Sequence, residues 1–117
     1  MANFVKRSTS LSPVSVGVID QTVISPVNCL GDDFVLLLIE NLSAAETFTG
    51  YAWSSPDGVT QWNVEENDNF VSIAPTKTRR MLLPADRMYV RVLGAFAGNP
   101  DSVRVSVVLF RSAVRRA

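Results

Sequence analysis

Short runs of alternating apolar and polar residues, each stopped by a proline or glycine corner, narrow the fold of this chain more than any other feature. Tyr89 to Phe96 sets Val90, Val92 and Phe96 on one side and Tyr89, Arg91 and Leu93 on the other. After the turn Gly98-Asn99-Pro100-Asp101, the run Val103 to Phe110 presents Val103, Val105, Val107 and Leu109 as a core side, with Val108 and Phe110 facing the other way. Near the start, Val14, Val16 and Val18 alternate with Ser15, Gly17 and Ile19; Gln21 to Ile24 continues or pairs after a bend, and Pro26 is expected to end it. Phe34 to Ile39 is apolar without interruption, which predicts a central strand covered on both faces. Phe70 to Ile73 and Thr78 to Leu83 supply further short strands, cornered by Pro75 and by Pro84-Ala85-Asp86. Leu42 to Glu46 has room for one helical turn. About eight such strands, with hardly any helix, predict an all-β fold: an antiparallel β-sandwich of jelly-roll or Greek-key type. Residues 1–12 read as an extended N-terminal arm, 13–111 as the sandwich domain and 112–117 as a basic C-terminal tail.

Thr47 to Val64 reads as a β-hairpin, and two registers compete for it. If Ser55-Pro56-Asp57-Gly58 is a type I turn closed by a left-handed Gly58, then Ser55 opposes Val59, Ala52 opposes Trp62 and Trp53 opposes Gln61. Phe48, Gly50 and Ala52 then share a core face with Trp62 and Val64, while Tyr51 and Trp53 look outward. If Asp57-Gly58 makes a two-residue turn instead, Trp53 faces Trp62. The first register is preferred because Pro56 sits comfortably in the turn and donates nothing to a strand ladder. Tyr51 and Trp53 thereby become candidates for contact with something outside the domain.

Charge and chemistry exclude more than they suggest. The formal net charge is zero, yet residues 8–76 carry nine carboxylates and no Lys or Arg, whereas residues 77–117 carry nine cations against Asp86 and Asp101. Either the two halves interleave in the sheets so that cross-strand pairs cancel, or an acidic face meets basic termini of neighbouring subunits. With no histidine and one cysteine, the usual zinc sites and Ser-His or Cys-His nucleophile pairs cannot be assembled, and Cys29 is expected to be a small buried hydrophobe. The clusters Asp32-Asp33 and Glu65-Glu66-Asp68 read as solvated loop acids, so no enzyme, metal or cofactor is expected. The apolar runs are too short for a membrane helix, no secretory signal is evident, and the cations are not interleaved with the aromatics, which argues against membrane and nucleic-acid partners. Synthesis in a cytoplasm is expected.

Two resemblances follow from these residues. SSPDGVTQW is similar to the S-x-D-G-x-x-W hairpin of discoidin-type carbohydrate-binding sandwiches and comes close to the Asp-box of sialidase propellers, which leaves a carbohydrate-binding module as a reading from another class. The arm ending at Pro13, the SPDGVTQW hairpin, the segment from Phe70 through LLPADRMYVRVLG and the final VRVSVVLF strand together resemble the small β-sandwich structural proteins of tailed-bacteriophage virions, particularly capsid decoration or cement proteins. That resemblance implies a non-enzymatic protein of the virion surface, a dimer or trimer, that clamps the major capsid protein. A head-completion or tail accessory protein would share its architecture. The candidate interface residues are Phe4, Val5, Lys6 and Arg7 of the arm, Tyr51 and Trp53 of the hairpin, Val108 and Phe110 of the last strand, and Val114, Arg115 and Arg116 of the tail.

Overall fold

The computed structural model describes residues 4–60, 63–64, 70–84 and 89–112. They form ten strands: β1 (Phe4–Ser10), β2 (Val14–Val16), β3 (Gln21–Asn28), β4 (Phe34–Asn41), β5 (Phe48–Ser55), β6 (Asn63–Val64), β7 (Phe70–Ile73), β8 (Thr78–Pro84), β9 (Tyr89–Phe96) and β10 (Asp101–Ser112). The first sheet runs β1-β10-β4-β8 with β2 also on β10, and the second runs β3-β9-β5-β6 with β7 also on β5. All pairings are antiparallel. β1 and β2 lie in succession along one edge of β10: Ser10 pairs with Ser106, Val14 with Val103, so the edge carries one extra residue, a bulge near Pro13. β6 and β7 follow one another along β5 in the same way. Joining each of these pairs gives eight strands that alternate between the sheets apart from the hairpin, in the double Greek key of a jelly roll.

The inner faces follow the alternation of the sequence. Val103, Val105, Val107 and Leu109 of β10 and Val90, Val92 and Phe96 of β9 are buried, as are Val35, Leu37 and Ile39 of β4 and Met81 and Leu83 of β8. Phe48 meets Phe96 edge-on, with centroids 5.4 Å apart. Its ring lies over Gly50 and Gly94, which pair directly; a Cβ on Gly94 would come within 2.6 Å of the Thr49 carbonyl oxygen as well as striking the ring. Cys29 is fully buried, and its thiol donates to the Val27 carbonyl at 3.6 Å. The two halves of the sequence meet in the first sheet, where β4, with Glu40, lies between β10 and β8, which carry arginines; β3 and β5, on either side of β9, are uncharged. Arg104 of β10 pairs with Glu40 of β4 at 3.2 Å.

Several expectations are corrected. β4 is not covered on both faces: Val35, Leu37 and Ile39 are buried, but Leu36 and Leu38 are half-buried and Phe34 is exposed, because only one side of this sheet meets the other. Pro26 does not end its strand; it sits inside β3, an edge strand whose register shifts between Ile24 and Val27, where a missing N–H is tolerated. The strand from Val14 stops at Val16, and Val18 and Ile19 are exposed. Leu42 to Glu46 forms bends instead of a helical turn. The Asn41 amide nitrogen donates to the carbonyls of Glu46 and Ile73 at 2.8 and 3.0 Å, its oxygen accepts from Ser43 N, and Ser43 Oγ accepts from Glu46 N, so side chains take the place of helical hydrogen bonds. Asp32 is only 3% exposed, a buried acid and not a solvated one.

The hairpin fits neither register. Trp53 pairs with Val64 and Ser54 with Asn63, three residues beyond the preferred alignment, which paired Trp53 with Gln61 and Ser54 with Thr60. A longer polar-capped loop is the cause. Ser55 Oγ accepts from Gly58 N at 3.0 Å, and Asp57 Oδ1 accepts from Val59 N and Thr60 N at 2.9 and 2.8 Å, while Thr60 Oγ1 donates to Asp57 Oδ2 at 2.7 Å. Gly58 does take the left-handed conformation, at φ +76°. Trp62 lies outside the described residues.

Candidate assembly surface

The period-two pleat turns alternate residues of the first sheet away from the core, and their register stacks them in rows across the strands. Across β10 and β4 the rows pair Phe110 with Phe34, Val108 with Leu36, Ser106 with Leu38 and Arg104 with Glu40; β8 adds Leu82 beside Leu36 and Arg80 beside Leu38. Phe34 is 39% and Leu82 59% exposed, and Leu36, Leu38, Val108 and Phe110 are half-buried. One end of the outer face is therefore apolar over three strands. The other end carries the Glu40–Arg104 pair, whose side chains are 39% and 41% exposed. An outward apolar patch rimmed by charge is the surface pattern of a protein contact site.

Val108 and Phe110, expected at an interface, thus lie on this patch. Phe34, Leu36 and Leu38 were missed there because an unbroken apolar run reads as doubly covered, although the same run, phased against β10, shows which members face out; Leu82 was missed because Met81-Leu82-Leu83 of β8 breaks the alternation. Phe4, Val5, Lys6 and Arg7 belong to β1, pairing with Ser112, Arg111, Phe110 and Leu109 along the edge of this sheet. Val114, Arg115 and Arg116, together with the Glu65-Glu66-Asp68 cluster, lie outside the described residues.

Tyr51 and Trp53 sit elsewhere, on the outer face of the second sheet, so the expected interface residues do not form one surface. The Tyr51 hydroxyl donates to the Asp20 carboxylate, and that hydrogen bond, with some burial, raises the phenol above its ordinary range. Arg91 places its guanidinium 5.8 Å from the Trp53 ring centroid and occupies one ring face. The indole N–H is buried and has no acceptor among the described residues. At the hairpin tip, hydrogen bonds from the backbone of Thr60 and Val59 and from the Thr60 hydroxyl hold the Asp57 carboxyl well below the usual carboxylate range. Among the described residues no group of three Asp, Glu, His or Cys side chains is arranged to hold a metal ion.

The arrangement defines an eight-stranded jelly-roll domain with an apolar patch at one end of one sheet's outer face. Among solved structures, the chain is similar to one described as Bacillus endospore appendages forming disulfide-linked pili, at TM-score 0.58 and 15% identity over 96% of this chain and 92% of that one. The crystal structure of PirA aligns over 91% of this chain and 93% of its own at 16% identity, with a TM-score of 0.39 that is too low to bear on the fold. No protein-family model matches the sequence, and neither does any curated protein. The first likeness supports the jelly-roll fold.

Proposed function

We propose that this chain is a non-enzymatic structural subunit that works by packing against other proteins in a multi-subunit particle. The observation that carries this reading is the apolar end of the first sheet's outer face, built from Phe34, Leu36, Leu38, Leu82, Val108 and Phe110. The shared fold with a pilus-forming chain supports it. In its narrower form, supported by the whole-chain resemblance, the protein is a capsid decoration subunit on the virion surface of a tailed bacteriophage, bound to the major capsid protein. A glycan-binding role for the hairpin is less favoured, because Arg91 already occupies one face of the Trp53 ring.

The test is to add purified protein to capsids stripped of it and measure occupancy by sedimentation and electron microscopy. Saturable binding in a regular array is the expected result. Absence of binding overturns the capsid reading, and absence of any assembly with itself or with particles overturns the structural one.

A further inference from the structure

We propose that the outer face of the first sheet is where two copies of this chain meet, about a two-fold axis running along the strands between β4 and β10. The proposal rests on the structural-subunit reading and names its first partner. A two-fold axis in that position exchanges the β4 and β10 columns between copies. Register partners within one chain then confront each other across the interface. Leu36 comes over Val108 of the second copy and Phe34 over Phe110, so the apolar end meets itself. Glu40 and Arg104 of both copies gather near the axis as a neutral quartet, two carboxylates and two guanidiniums. Turning the second copy end for end would lay the ion pair over the phenylalanines, removing charges from water without new partners.

The area is sufficient. Four strands at about 4.8 Å spacing, over the length of β4 at about 3.4 Å per residue, give a footprint of about 500 Å² per copy. Two such faces reach the roughly 1,000 Å² total that a specific interface clears. The patch supplies the apolar part of the contact, and Arg80, Thr78 and the quartet supply its polar end.

A charge-swap mixing experiment tests the arrangement. E40R makes the quartet wholly positive and R104E makes it wholly negative, so each variant alone should be a folded monomer by light scattering, with folding checked by circular dichroism. Mixed in equal amounts, they restore two positive and two negative charges, and native mass spectrometry should show the heterodimer. A purely intrachain role for the pair gives no recovery on mixing. Independently of the charges, Val108→Glu, which sets a carboxylate against Leu36 of the second copy, should raise the dimer dissociation constant about tenfold or more. A wild-type monomer up to its solubility limit, single variants that remain dimers, or folded variants that stay monomeric when mixed would each overturn the proposal. A monomeric wild type that still coats capsids overturns the two-fold contact alone, whereas a dimer that binds no capsid overturns the capsid reading alone.

Discussion

Gly94 and Asp57 show how single residues set the geometry of the second sheet. Gly94 leaves room for the Phe48 ring and for the Thr49 carbonyl, neither of which can retreat from a strand in the middle of the sheet. Gly94→Ala should therefore cost about 1–3 kcal/mol through overpacking, lowering Tm by roughly 4 °C for each kcal/mol in a thermal melt. Asp57 works through ionisation. Its folded-state pKa is depressed, so its contribution is fully present above the unfolded value of about 3.9 and is lost as pH falls through the folded value. Asp57→Ala should melt below the wild type at neutral pH, and the difference should shrink as the pH is lowered below about 4; a gap that stays constant into strong acid would refute the ionic cap.

At the scale of elements, the corner around Asn41 ties β4 to the end of β7. Its amide satisfies the Glu46 and Ile73 carbonyls inside the protein, where water cannot replace it. Asn41→Ala should cost about 1–3 kcal/mol for each carbonyl left bare, and chemical denaturation will show it as a lower midpoint with an unchanged slope. This corner also shows where sequence reasoning stops. β7, β9 and the core side of β10 were legible from period-two alternation, because one face of each is buried and the other is not. The hairpin register was not, since the turn chemistry of Pro56, Asp57 and Gly58 suggests a tight loop, and the longer one is held by side-chain hydrogen bonds from Ser55 and Asp57. Pro26 misled for a related reason: a proline ends a central strand but survives in a bulged edge strand, and edge position is a property of the whole sheet.

For the whole molecule, the topology brings the charge-divided halves of the sequence side by side. β4, from the acidic half, lies between β10 and β8 of the basic half, and the Glu40–Arg104 pair is one product of that placement. Two of the six residues of the candidate surface were readable in advance, since Val108 and Phe110 face away from a strand's own core side. The other four, on β4 and β8, became visible only when register placed Leu36 beside Val108 and Leu82 beside Leu36.

The burial of Cys29 decides what kind of bond can join copies of this chain. The pili that share its fold are described as disulfide-linked. Here the thiol of Cys29 is sealed in the interior and not presented to a neighbour. In the assembly proposed above, Cys29 therefore supplies no linking disulfide. Assemblies should dissociate identically in SDS with and without dithiothreitol, and a covalent dimer band that disappears on reduction would show that the interior opens.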